Sequence, residues 1–169
     1  YNNFRSNSVE TSVEVYYKNI KDFLDYKSGA QLILNHNLER DVIGTIGKAY
    51  GAEFMIKKLT GKLNGWIGYT YSRSLQRTEM SANSSELINR GEEYASNFDR
   101  PHDVTMVANY RFSHRFSVSA NFTYSTGRPI TLPIAKYSYG GSERVLYSDR
   151  NQYRIPDFYR GDIAFNIEG

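Results

Sequence analysis

The chain has 169 residues, a net charge of +3 and no cysteine. That is long enough for one ordinary domain with a real core, while the missing thiols exclude a disulfide framework and a thiolate metal centre. No run of Lys and Arg concentrates the small positive charge, so the footprint of a nucleic-acid binder is absent. The 15 Tyr and 9 Phe against a single Trp suit surfaces that are apolar on one side and wet on the other. Mean hydropathy is well below zero, and no stretch approaches the roughly 18 consecutive apolar residues of a helical membrane span. A β-barrel stays open as a reading, because only alternate strand residues meet lipid and the loops are hydrophilic.

The chain opens Tyr1-Asn2-Asn3-Phe4-Arg5, without an initiator Met or an apolar leader. Residues 8–20 then set Val9, Thr11, Val13, Val15 and Tyr17 against Glu10, Ser12, Glu14, Tyr16 and Lys18. This is a period of two, which predicts a strand. Residues 22–26 are expected to extend it above the membrane, with loop at 31–40. A second strand, 47–59, carries Ala52, Phe54 and Ile56 on one face. After Thr60-Gly61-Lys62 a third carries Leu63, Gly65, Ile67, Tyr69 and Tyr71. A polar stretch including 81–85 leads to Pro101 and a fourth strand, 103–112, with Val104, Met106, Ala108 and Tyr110 together. Beyond Ser113-His114-Arg115 a fifth, 116–126, has Phe116, Val118, Ala120, Phe122 and Tyr124 on one side. Residues 127–157 hold several Tyr and the pair Gly140-Gly141, and a sixth strand covers 158–167. The chain stops at Asn166-Ile167-Glu168-Gly169, partway along that strand, and reads as an excerpt of a longer protein.

Two very short turns thus alternate with three long polar connections, 21–46, 75–102 and 127–157. Tight turns on one rim and long loops on the other are the layout of an outer-membrane barrel. None of the six apolar faces carries a charge. Alternation by itself leaves the solvent open, since a soluble sandwich also has clean inner faces. The aromatic positions tip the balance towards a membrane wall, with cross-strand aromatic packing in a soluble sheet as the alternative. Tyr110, Phe112 and Phe116 fall near the short-turn rim, and Tyr17, Tyr69, Tyr71 and Tyr124 towards the other, as two interfacial belts would. The expected fold is an all-β, antiparallel, up-and-down transmembrane β-barrel, of which residues 1–169 are a segment of about six strands in contact with outer-membrane lipid and lipopolysaccharide.

Several motifs carry a resemblance. Val15-Tyr16-Tyr17-Lys18-Asn19 looks like a barrel strand running into an extracellular loop, and Ala49-Tyr50-Gly51-Ala52-Glu53-Phe54 and Leu63-Asn64-Gly65-Trp66 through Ser74 like the hairpin that follows. Asn97-Phe98-Asp99-Arg100-Pro101-His102-Asp103, Ser125-Thr126-Gly127-Arg128-Pro129 and Arg154-Ile155-Pro156-Asp157-Phe158-Tyr159-Arg160-Gly161-Asp162 follow in order. Together they resemble the C-terminal part of the barrel of TonB-dependent receptors, particularly those of Bacteroidetes. The resemblance implies a 22-stranded barrel filled by a plug domain of the same full-length protein, with import driven by the TonB complex through an N-terminus that this chain lacks. The plug and the terminal strands are likewise outside it.

Asp99, His102 and Asp103 would make an imidazole flanked by carboxylates, but no nucleophile is nearby. The resemblance makes Asp99, Arg100, Pro101 and His102 a structural motif opening a strand, with Asp99 and Arg100 pairing or capping the loop. His36, His102 and His114 have no metal-ligand spacing. Glu53, Lys57, Arg73, Asn109, Arg111, Arg160 and Asp162 are expected to face the lumen, against substrate, plug or water. Tyr137, Tyr139, Tyr147 and Tyr153 are expected as extracellular loop contacts able to stack on a ligand. The function expected is binding and TonB-powered import of a scarce nutrient at the bacterial outer membrane, the ligand being a small molecule such as a siderophore or vitamin, a glycan or a peptide. No enzyme, cofactor, metal or nucleic acid enters that reading. A passive porin or structural barrel, and a soluble extracellular β-sandwich binding module, remain as alternatives.

Overall fold

Val, Ile, Thr, Tyr and Phe alternating with polar residues favour a pleated chain with two unlike faces. The chain is all-β and antiparallel in a computed structural model that describes residues 2–5, 8–27, 37–79 and 87–168. In chain order the strands are β1 (Asn2–Arg5), β2 (Val9–Tyr26), β3 (Val42–Lys58), β4 (Leu63–Thr78), β5 (Tyr94–Ala95), β6 (His102–Arg111) and β7 (Phe116–Ser125). They continue with β8 (Pro129–Ile130), β9 (Pro133–Tyr139), β10 (Ser142–Tyr147), β11 (Tyr153–Arg154) and β12 (Phe158–Ile167). The main sheet is a meander in the order β1-β2-β3-β4-β6-β7-β12, with β5 paired onto the part of β4 that runs past β6. Two separate ribbons, β9–β10 and β8–β11, belong to the last long connection.

The fourth, fifth and sixth expected strands are found within a residue at each end. The first three run longer. β2 passes a bulge between Ile20 and Phe23, where Asp22 has φ 55, and continues to Tyr26. β3 begins at Val42 and β4 ends at Thr78. The expected loop at 31–40 and the 81–85 stretch fall largely or wholly outside the described residues, as does His36.

The turns at 59–62 and 112–115 lie at one end of the sheet. In the second, the Ser113 hydroxyl accepts from the N–H groups of Arg115 and Phe116. The connections between β2 and β3, β4 and β6, and β7 and β12 all leave from the other end.

Pairing register brings the apolar faces of all the long strands into continuous rows. One row is Val13, Phe54, Tyr69, Val104, Tyr124 and Tyr159; the next is Thr11, Ile56, Ile67, Met106, Phe122 and Gly161. Leu63, Tyr110, Val118 and Phe165 form a lower row, and Val15, Ala52, Tyr71 and His102 an upper one. Between His102 and Tyr110 the band spans about 27 Å along the strand at ~3.4 Å per residue. Among the described strand residues, charge on this face appears only towards its ends, at Lys58 below and at Arg73, Lys48, Arg77 and, through the β2 bulge, Lys21 above.

No element among the described residues covers this face. Val15 is 72% exposed, Ile163 68% and Phe165 70%. Tyr110, Phe112 and Phe116 cluster at the short-turn rim, and Tyr69, Tyr71 and His102 at the upper one. The sheet is open: β1 and β12 are its edges, and no pairing among the described residues joins them. The buried apolar core is a small cluster of Ile43, Ile88 and Tyr94, at the long-loop end.

Candidate functional site

Four of the motifs that carry the resemblance meet at the loop end, around one carboxylate. Asp99 is 1% exposed. Its Oδ1 accepts from the Ser74 N–H at 2.7 Å and from Arg73 Nε at 3.1 Å, and its Oδ2 pairs with Arg154 Nη2. The other Arg154 nitrogen, Nη1, donates to the carbonyls of Asp99 at 2.7 Å and Gly127 at 3.0 Å. Asp99 precedes β6, Gly127 follows β7 and Arg154 precedes β12, so one forked guanidinium ties three chain segments together. Gly127 is required by the crowding: a Cβ there would lie 1.8 Å from the Ile155 carbonyl oxygen.

Asp157 completes the junction. It accepts from the Tyr124 hydroxyl at 2.6 Å and the Gly127 N–H at 2.9 Å, and these bonds, the tyrosine's first, hold its carboxyl below the ordinary value. His102 stands apart, its ring stacked on Tyr69 and its Nδ1 2.9 Å from the Tyr69 hydroxyl. Asp103, the next strand residue, lies on the opposite face of β6. The three residues that could have formed an acid–base cluster therefore do not converge. Asp99 pairs with Arg73 and Arg154 rather than with Arg100. Arg100 contributes its carbonyl, which accepts from Ser72 Oγ at 2.9 Å, and the Pro101 carbonyl accepts from the Ser72 N–H.

A second junction has no counterpart in the sequence reading. Arg150 donates to Asp25 Oδ1 at 2.9 Å and to the Tyr26 carbonyl at 2.7 Å. Tyr94 donates to Asp25 Oδ2 at 2.8 Å, and burial first, then that bond, raise its phenol well above the ordinary value. Asn89 exchanges two hydrogen bonds with the Arg150 backbone, and Asn151 Nδ2 donates to the Ala95 carbonyl and Asn97 Oδ1. Together the junctions fasten the 126–157 connection to the tips of β2 and β4.

The face opposite the apolar band is polar and carries Glu53, Lys57, Asn109, Arg111, Arg160 and Asp162. Asn109 donates to Asn64 at 3.3 Å, and Arg160 pairs with Asp162 at 2.8 Å. Glu14, Glu53, Thr70 and Asp103 are successive partners in one row. Arg73 does not belong to this wall. Register puts it in the row of Tyr17 and Tyr50, on the apolar-face side above the band. There the strand has left the apolar zone, and a polar residue no longer marks the inner face.

Tyr137, Tyr139 and Tyr147 sit on the β9–β10 hairpin and Tyr153 on β11, all exposed, Tyr139 at 74%. Every residue of the hairpin is exposed, so it projects from the two junctions as a tyrosine-bearing arm. No grouping of His, Asp and Glu among the described residues would hold a metal ion. What the arrangement offers is a recognition surface: exposed tyrosines on braced loops at one end, above an open polar wall. Against known proteins, no family model, no curated protein and no solved structure matches the chain.

Proposed function

We propose that the chain is part of the wall and outer loops of a bacterial outer-membrane receptor of the TonB-dependent kind, which captures a scarce nutrient on its loops and imports it. One observation carries the reading: the apolar faces of β2, β3, β4, β6, β7 and β12 align in register into a single band that no other element among the described residues covers. A soluble monomer rarely exposes a contiguous apolar patch beyond roughly 300–600 Å². A transmembrane barrel needs such a band, roughly 25 Å tall and edged by aromatic girdles. The polar opposite face suits a lumen. The open edges at β1 and β12 suit an arc of a larger barrel, because an unpaired edge in lipid would leave backbone groups unsatisfied. The braced loops with Tyr137, Tyr139, Tyr147 and Tyr153 supply ligand contacts, and Glu53, Lys57, Asn109, Arg111, Arg160 and Asp162 line the path below. The uncovered band weighs against a β-sandwich, whose inner face is packed beneath a second sheet.

The test uses the whole protein that carries this chain. It is expected to require detergent for solubility, to migrate differently on gels before and after boiling, and to bind one class from a panel of iron chelates, cobalamins, glycans and peptides. Uptake of that ligand should stop when the inner-membrane proton gradient is collapsed. A whole protein that stays monodisperse without detergent would sink the membrane reading. Uptake that ignores the gradient would leave a passive barrel instead.

A further inference from the structure

Above the apolar band, on the same face of the sheet, β2, β3, β4 and the segment before β5 line an open cleft of about 400 Å³ whose charged residues are Lys21, Lys48, Arg77 and Glu93. Three cations against one carboxylate leave it positive. Lys48 is held by Glu93 at 2.7 Å, whereas Lys21 and Arg77 have no ion-pair partner among the described residues. The bulge in β2 contributes the first of them: two residues, Lys21 and Asp22, oppose Ile46, which re-aims the local side chains. Directly below lies a second cleft, of about 490 Å³, lined by Val15, Tyr17, Tyr50, Ala52 and Tyr71 among others and almost wholly apolar. Tyr17 belongs to both.

We propose that these stacked clefts are a single site on the outer wall for an anionic membrane lipid, its phosphate-bearing headgroup among Lys21, Lys48 and Arg77 and its acyl chains against Val15, Ala52 and the Tyr17–Tyr50 pair. The proposal rests on the membrane reading above. Charge complementarity selects an anion, since juxtamembrane Lys and Arg attract anionic headgroups. The continuous apolar groove selects one with a tail, which separates it from a free phosphate. The aromatic pair, with ring centroids 6.5 Å apart, sits where interfacial tyrosines meet headgroups.

The experiment is native mass spectrometry of the whole protein in neutral detergent, titrated with phosphatidylglycerol, with an uncharged diacyl glycolipid, and with inorganic phosphate. Phosphatidylglycerol adducts should form at concentrations about tenfold below those of the glycolipid. The K21Q/K48Q/R77Q variant should lose that preference, K136Q on the hairpin should keep it, and inorganic phosphate should not compete. Equal binding by the triple variant overturns the proposal, as does no preference for the anionic lipid or full competition by phosphate alone. If the protein needs detergent yet shows no anionic preference, this site fails and the barrel reading stands. If it needs no detergent, both fail together.

Discussion

The loop end and the middle of the sheet are held by different forces. At the loop end polar groups are buried and most are satisfied: Thr45, Thr78, Ser96 and Asp99 are each at most 2% exposed, and the described hydrogen bonds give each a partner, whereas the buried Ser125 hydroxyl has none. In the wall between the rims, strands are joined by ladder bonds, while Val15, Phe54, Ile163 and Phe165 stay open. Fully burying such a side chain is worth about 1.5–3 kcal/mol. The wall therefore holds an unused reservoir of apolar stabilisation that only its surroundings can release, whereas the loop end is self-sufficient.

The sharpest test of that self-sufficiency is Asp99→Ala. It leaves Arg73 and Arg154 facing each other without their carboxylate, and breaking such a buried pair costs about 3–5 kcal/mol. Both arginine side chains are 30% exposed, so the lower end of that range is expected. The 126–157 connection should become protease-sensitive in the whole protein, and Asp99→Asn, which keeps the acceptor, should lose less. Unchanged protease resistance in Asp99→Ala would mean that the junction does not brace the loop.

The wall is tested by Met106→Arg against Thr105→Arg, neighbours on opposite faces of β6 at mid-height. An arginine in the hydrocarbon midplane costs about 2–4 kcal/mol, while at a water-facing position most substitutions stay within about 0.5 kcal/mol. Folding into neutral-lipid vesicles, followed by denaturant titration, should show the full penalty for Met106→Arg alone. Equal effects at the two positions would remove lipid from the apolar side.

Gly127→Ala returns to the loop end with a smaller change. The new methyl would meet the Ile155 carbonyl, and the Gly127 N–H and C=O are both engaged, by Asp157 and Arg154. Any relief must break one of those bonds. We expect a loss of about 2 kcal/mol, read as a lower melting temperature with wall insertion unchanged. A variant that melts like the parent would show that the junction has slack.

These differences also explain what could be read in advance. The wall follows from local alternation, because register turns a period of two into a face; 158–167 shows this, an isolated pattern recovered as β12. The same rule, continued past Tyr71, would have put Arg73 on the apolar-face side. Its polarity misdirected the reading, because above the band the apolar-face side itself carries charge, at Lys48 and Arg73. The β9–β10 hairpin had a usable signal: Gly140 and Gly141, with φ 60 and 78, form the two-residue turn that glycine pairs favour. The Arg150–Asp25 pair had none. It joins residues 125 apart in sequence, and nothing local in either segment announces the other.

The smallest expected effect separates the two loop junctions by pH, because their titrating groups move in opposite directions. Tyr94 is raised above 10.0 by burial and its bond to Asp25. It favours the folded state in its neutral form, so its contribution is complete below about pH 10 and fades as pH rises beyond that. Asp157 is lowered below 3.8 by Tyr124 and the Gly127 N–H. It favours the folded state when ionised, so its contribution is complete above about pH 4 and is lost as pH falls through the depressed value. Cleavage of the 126–157 connection by proteases active at each extreme should therefore rise at both ends of the range and stay flat between. Tyr94→Phe keeps the Arg150–Asp25 pair but removes the ionisable group, so it should abolish the alkaline rise and spare the acid one; Asp157→Asn should do the reverse. An alkaline limb that survives in Tyr94→Phe would assign it to a group other than the Tyr94–Asp25 contact and leave the Arg150 junction independent of pH.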